Sequence, residues 1–267
     1  MKIGIFDSGL GGLFVLRSIQ RKLPQYDYVY FGDTKRVPYG NRTQTEIYRF
    51  TKQGVGYLFK HGCSLIILAC NTASARALRR IQREYLPQHY PNRRVLGVII
   101  PTVEATLAQE PNTVAVVATR STVDSNAYVK EFFKRREHLN VVQQAAPLLV
   151  SLVENDKVAD AKNLVPAYMR AIFRTKPNVL ILGCTHYGIL RSAFRKSLPA
   201  KTRLIVQNDI LPQKLHEYLH HHPEIERRLS RKRTLAISLT SITPAVRKHA
   251  WQWFGKHVPL KLARLAK

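Results

Sequence analysis

Two cysteines, Cys70 and Cys184, stand in near-matching surroundings. Leu65-Ile66-Ile67-Leu68-Ala69-Cys70-Asn71-Thr72 is echoed by Val179-Leu180-Ile181-Leu182-Gly183-Cys184-Thr185-His186. Each is an apolar, strand-sized run ending in a small residue, then a thiol, two polar residues and a helix-like segment. Ligands of open α/β sheets bind at the carboxyl ends of the strands, where both thiols would sit. A thiol at such a turn meets free backbone N–H groups and the positive end of the following helix, and both favour thiolate. One thiol beside a base suits nucleophilic catalysis, and His186 is close to Cys184, but Cys70 is then left without a part. Two opposed thiols suit proton transfer at carbon: a thiolate removes a proton from one face and a thiol delivers one to the other. That is the chemistry of a racemase or epimerase. The competing reading, a small apolar residue at a strand end, is weakened by the pairing. Cys63 precedes its strand and is expected at the opposite end, as packing.

Other polar clusters fall at similar places. Asp7-Ser8-Gly9-Leu10-Gly11-Gly12 follows the first apolar run, and its glycines are expected to allow close backbone approach and positive φ. A dinucleotide fingerprint fails in register at Phe14, and there is no Walker motif. Phe31-Gly32-Asp33 leads into the turn Pro38-Tyr39-Gly40, and Thr119, Ser121 and Thr122 follow the run Val114–Ala118. Each alone is commonly a helix cap. Together, at one end of successive strands, Asp7 and these hydroxyls can hold an ammonium and carboxylates.

Strands alternating with helices are needed to place such residues. Strand-like runs occur at Ile3–Phe6, Tyr28–Phe31, Leu65–Ala69, Val95–Ile100, Val114–Ala118, Val141–Gln144, Val179–Leu182, Arg203–Val206 and Thr234–Ser238. Helical periodicity fills Leu13–Leu23, Thr43–Lys60, Ser74–Tyr85, Ser125–Arg136 and Val158–Arg174. Near-continuous apolar strands mean parallel sheets covered on both faces. The expected fold is α/β, two pseudo-symmetric doubly wound lobes with the active site in the cleft between them. One lobe is expected over 1–98 and 208–267, carrying Asp7 and Cys70; the other, over 99–207, carries Cys184 and His186.

Composition narrows the class. The chain has 267 residues, 45% hydrophobic and 22% charged, which excludes a disordered tail or a disulfide-stapled miniprotein. No apolar run approaches the roughly 18 residues of a membrane span. The first residues enter a strand pattern without a signal peptide's apolar stretch, so a cytoplasmic location is expected. Three cysteines without a CxxC argue against a zinc ribbon, and His61 with Cys63 is too small a set of metal ligands. The net charge of +26 is the unusual number. Eleven Lys and Arg and no acidic residue lie between Arg227 and Lys267, Lys256 and Lys267 among them. Such a stretch is either a solvated surface or an electrostatic footprint for DNA, RNA or an acidic protein.

These motifs together resemble the glutamate racemases, cofactor-independent members of the aspartate/glutamate racemase superfamily. The resemblance runs along nearly the whole chain: Asp7 to Gly12, Pro38-Tyr39-Gly40, Cys70-Asn71-Thr72 and Gly183-Cys184-Thr185-His186 come in the family's order. Ala118-Thr119 through Tyr128, Pro147 through Glu154, and Trp253-Phe254-Gly255 with the extended segment after it resemble further blocks. The resemblance implies interconversion of L- and D-glutamate for peptidoglycan, without pyridoxal phosphate or metal. It implies Cys70 and Cys184 as catalytic acid/bases, Asp7 and His186 orienting or tuning them, and Glu154 supporting His186. Ser8, Pro38, Tyr39, Gly40, Asn71, Thr72, Thr119, Thr122 and Thr185, with Asp7 and His186, would contact substrate. His186 leans toward glutamate, since aspartate-acting relatives tend to carry an acidic residue there; an aspartate or broad-specificity racemase is the alternative. A homodimer is implied by common family practice, and a DNA or gyrase contact through the basic surface by some members. The chain departs from the family pattern at Pro101-Thr102, Ala146-Pro147 and Val206-Gln207. None of these is expected to touch the two thiols or to put activity in doubt, and their effect is expected at the lobe interface, on dimer mode, hinge stiffness or regulation. Activator binding through an N-terminal extension is not expected.

Overall fold

The apolar runs pair into two sheets, all of whose ladders are parallel. The structure, a computed structural model, describes residues 1–255 and 257–265. The first sheet holds β1 (Lys2–Asp7), β2 (Tyr28–Gly32), β3 (Cys63–Leu68), β4 (Arg94–Gly97), β9 (Leu235–Leu239) and β10 (Leu260–Leu262), in the order β10-β9-β2-β1-β3-β4. The second holds β5 (Thr113–Ala118), β6 (Asn140–Ala145), β7 (Val179–Gly183) and β8 (Arg203–Val206), in the order β6-β5-β7-β8. The order β2-β1-β3-β4 in one sheet is thus repeated in the other. β3 and β7, which precede the two thiols, take equivalent places beside the switch points β1/β3 and β5/β7, where doubly wound sheets bind ligands.

Helices on both faces explain the unbroken hydrophobicity of the inner strands: every residue of β2, β3 and β7 is buried. One apolar core runs through both lobes, joining Ile3, Ile5 and Leu16 to Ala115, Val117 and Leu180, while separate clusters cover the far face of each sheet. The chain crosses between sheets at two points. After β4 it enters the helix Ile99–Leu107, and after β8 the helix Gln207–His221. The strand expected over 95–100 therefore ends at Gly97. Val98 leaves the ladder, its N–H donating to Ser74 Oγ at 3.4 Å. The helix expected over 74–85 begins earlier, at Asn71, and is interrupted by a π turn at Ile81–Tyr85. Among the described residues, no helix is long and apolar enough to cross a membrane.

The helix Gln44–Lys60 shows how tightly the sheet is covered. Thr43 and Glu46 close a capping box at its start. Its buried Gly54 lies on the stacked rings of Phe6 and Phe31 (centroids 5.7 Å apart), and a Cβ there would come within 2.7 Å of Phe31 Cε1. Gly54→Ala is expected to destabilise the protein by about 1–3 kcal/mol, the overpacking cost outweighing alanine's better helix propensity. Urea unfolding measures it, and an unchanged or raised midpoint contradicts this packing.

Candidate active site

The carboxyl ends of β1, β3, β5 and β7 converge on one buried cavity. Cys70 and Cys184 both line it, with Ser8, Pro38, Tyr39, Gly40, Asn71, Thr72, Thr119, Thr185 and His186. Asp7, Thr122 and Glu154 stand behind this lining. Asp7 accepts from Gly9 N–H (3.0 Å) and from the Thr185 hydroxyl of the other lobe (3.2 Å). Thr122 closes a triangle of hydroxyls with Thr72 and Thr119, at 2.9 to 3.2 Å, that bridges the two lobes. Glu154 meets His186 Nε2 at 2.5 Å. The expectation for the glycines of 9–12 holds in one respect and fails in another. A Cβ on Gly11 would lie 2.5 Å from Thr185 Oγ1, so close approach requires glycine there. Positive φ is not used: Gly11 has φ −58°, and the described glycines with positive φ are Gly62 and Gly255.

The thiols occupy equivalent strand ends but opposite electrostatic settings. Cys70 caps the helix Asn71–Arg76, its sulfur accepting from Ala73 N–H at 3.5 Å and from Ser8. These contacts favour thiolate as anticipated, yet burial, reinforced by the Asp7 carboxylate, pushes the Cys70 thiol up to about 12. The turn alone is overridden by removal of water. Cys184 is followed by a 3₁₀ helix, Thr185–Leu190, before any α-helix, and its sulfur lies 3.8 Å from His186 Nδ1. Burial works to lower the His186 pKa, but hydrogen bonds to Cys184 and Glu154 and their charges win and hold it well above its ordinary value. A ring biased toward its protonated form therefore faces Cys184, whereas Asp7 is the charged neighbour of Cys70. Asp7 itself is raised by burial, against the opposing effects of His186, the Gly9 and Gly12 N–H groups and Thr185.

Supporting residues fix the walls. The Tyr39 hydroxyl donates to buried Asp33 (2.6 Å), which also accepts from Arg36 Nε (2.6 Å) and Thr240 (2.8 Å), tying the Pro38–Gly40 turn to the sheet. The Trp253 ring stands edge-on to His186, centroids 5.8 Å apart. Asn71 is bonded to Gln207 and Tyr128. Asp33, Trp253, Tyr128 and Gln207 were not anticipated as site residues; for Gln207 the available signal was its place directly after a strand. Cys63 lies at the opposite end of β3, buried, its thiol also pushed up to about 12.

Among the described residues, no group of three or more His, Cys, Asp or Glu side chains is arranged to hold a metal. The basic stretch is divided. Arg228 and Ser230 bond to Met1, at the amino-terminal end of the first sheet, while Lys248, on the helix Pro244–Phe254, pairs with Asp156 at 3.0 Å. Lys256 and Lys267 lie outside the described residues.

Two lobes of one strand order, each giving a thiol to a shared cavity, form the architecture of an amino-acid racemase, an isomerase. A sequence model of the Asp/Glu/Hydantoin racemase family matches residues 11–215. The chain is 40% identical to a glutamate racemase of Roseobacter denitrificans over 84% of this chain and 87% of that one. Its structure resembles a glutamate racemase isoform from Bacillus anthracis (29% identity, TM-score 0.89, 98% of this chain and 97% of that one). It also resembles a glutamate racemase from Francisella tularensis in complex with D-glutamate (28% identity, TM-score 0.87, the same coverage). The chain belongs to the Asp/Glu/Hydantoin racemase family, among its glutamate racemases.

The burial of Cys70 makes a direct prediction. In Cys63→Ser/Cys184→Ser, where Cys70 is the remaining thiol, thiolate absorbance near 240 nm should be absent at about pH 9, the range in which an ordinary thiol is already ionising. A midpoint at or below the ordinary thiol value would mean that the turn, not burial, controls this group.

Proposed function

We propose that this protein interconverts L- and D-glutamate by two-base proton transfer at Cα and so supplies D-glutamate for peptidoglycan. The observation that carries the reading is the presence of Cys70 and Cys184 on one cavity, at the ends of equivalent strands of two like sheets. The relatives named as glutamate racemases, one of them bound to D-glutamate, support the substrate. One sulfur, as thiolate, takes the Cα proton, and the resulting carbanion is protonated on its opposite face by the other sulfur, as thiol. Cα is inverted and the two sulfurs exchange protonation states, so the reverse reaction uses the same pair in the opposite order. His186, held by Glu154, supports negative charge beside Cys184; Asp7 and Ser8 adjust Cys70. The Asn71, Thr72, Thr119 and Thr185 side chains and the Pro38–Gly40 turn bind the substrate's carboxylates and ammonium.

The cavity holds about 20 Å³, room for about one water. Glutamate therefore enters with the lobes parted, and reclosing excludes water around a weakly acidic α-proton. At near-neutral pH one sulfur must be charged and its partner protonated, so turnover should follow a bell-shaped pH profile.

Proton NMR in deuterated buffer tests the reading. L- and D-glutamate should each lose the Cα proton signal without added cofactor, and aspartate should exchange far more slowly. Cys70→Ala and Cys184→Ala should each abolish racemisation, with one-sided exchange of a single enantiomer as the most activity either retains. Failure of the folded, reduced protein to exchange either glutamate enantiomer overturns the assignment; faster exchange of aspartate overturns the substrate alone.

A further inference from the structure

Two of the three departures from the family pattern, Thr102 and Gln207, stand beside one buried hydroxyl, that of Tyr128. Gln207 is the first residue of the helix after β8, at a point where the chain crosses between lobes, and only 2% of it is exposed. Its side-chain amide lies against that of Asn71, which lines the cavity beside Cys70. Asn71 Nδ2 donates to Gln207 Oε1 at 2.8 Å, and Gln207 Nε2 donates back to Asn71 Oδ1 at 2.6 Å. The buried Tyr128 hydroxyl donates to the same Asn71 oxygen (2.8 Å) and accepts from Gln207 Nε2 (3.0 Å). Thr102 lies beside the Tyr128 hydroxyl, its own hydroxyl donating to the Val98 carbonyl at 2.6 Å.

Bond capacity gives this arrangement its consequence. An amide oxygen accepts two hydrogen bonds and an amide nitrogen donates two. Both acceptor positions of Asn71 are occupied, by Gln207 and Tyr128, and one of its two N–H bonds goes to Gln207. A single N–H donor is left, on a side chain that can turn over only if the Gln207 amide and the Tyr128 hydroxyl reverse with it. We propose that Gln207 is a positioning residue: its reciprocal amide pair holds the Asn71 side chain in place and couples its orientation to that of Gln207 and Tyr128, so that Asn71 presents one fixed hydrogen-bonding group to a substrate carboxylate. The lock also ties Asn71 to the crossing between the lobes, so the group that reads the carboxylate is set by the hinge. This inference rests on the reading that the cavity binds glutamate.

Two variants test it. Gln207→Met keeps the length and apolar stem but removes both hydrogen-bonding groups. Gln207→Glu restores one donor and one acceptor when its carboxyl is protonated, and loses the donor when ionised. Gln207→Met should raise the KM for glutamate about tenfold or more with a smaller change in kcat, as expected when a bond held in both ground and transition states is weakened. Gln207→Glu should approach the parent's KM in mildly acid buffer and lose affinity as pH rises, a trend absent from the parent and from Gln207→Met. A Gln207→Met enzyme whose KM stays within about twofold of the parent overturns the proposal and leaves racemisation untouched. If Gln207→Met fails to fold by circular dichroism, a Gln207→Glu pH profile that follows the parent's overturns it instead. If the parent does not act on glutamate, hydrogen exchange of the Asn71 side-chain amide decides. Slow exchange in the parent and fast exchange in Gln207→Met upholds the lock, and equal rates refute it.

Discussion

Bringing the carboxyl ends of two parallel sheets together removes water from the place where each sheet is most polar. A buried donor or acceptor left without a partner there costs about 1–3 kcal/mol, so the closed cleft persists only where groups from one lobe satisfy groups from the other. Asp7 accepts from Thr185, the hydroxyls of Thr72, Thr119 and Thr122 share one triangle, and the amides of Asn71 and Gln207 pair beside Tyr128. Among the described residues, the buried side-chain atoms without a partner are Arg36 Nη2, Ser64 Oγ and Gln143 Oε1, none of them on a cavity-lining residue. The same exclusion of water raises the Cys70 thiol far above its ordinary range. Drying the cleft and holding back the thiolate are one effect.

The repeated strand order makes the two thiols equivalent in topology, and the side chains around them undo that equivalence. Cys70 has Asp7 and Ser8 for neighbours, and Cys184 has a histidine whose pKa is raised, against burial, by its bonds to Cys184 and Glu154. The paired sheets bring the two sulfurs to one cavity from equivalent strand ends, and a few residues on loops give each a different electrostatic setting.

The continuous apolar core constrains how the lobes can separate. Residues of both sheets share it, so wide separation would expose apolar surface at roughly 25 cal/mol per Å². Gln207 stands at the crossing after β8 and bonds Asn71 of the cavity, so a crossing between the sheets touches the site there.

The sequence by itself determined the fold class and carried both thiols and most of the cavity lining to strand ends, Asn41, Pro147 and Val150 being the lining residues it left out. Apolar strands buried on both faces leave a long, unbroken signature, and a motif at a strand's carboxyl end is carried to the site by the strand itself. The echo between residues 65–72 and 179–186 sets the two thiols at equivalent strand ends from local pattern alone. Tertiary structure alone decided the rest. Whether the Cys70 turn favours thiolate depends on how much water remains, and burial reverses the sign expected from the turn. Close approach at Gly11 depends on Thr185 arriving from the other lobe, which no local pattern records. Gln207 and Tyr128 reach Asn71 across 136 and 57 residues of chain, and a hydrogen bond over that separation has no periodicity or spacing in the sequence to announce it.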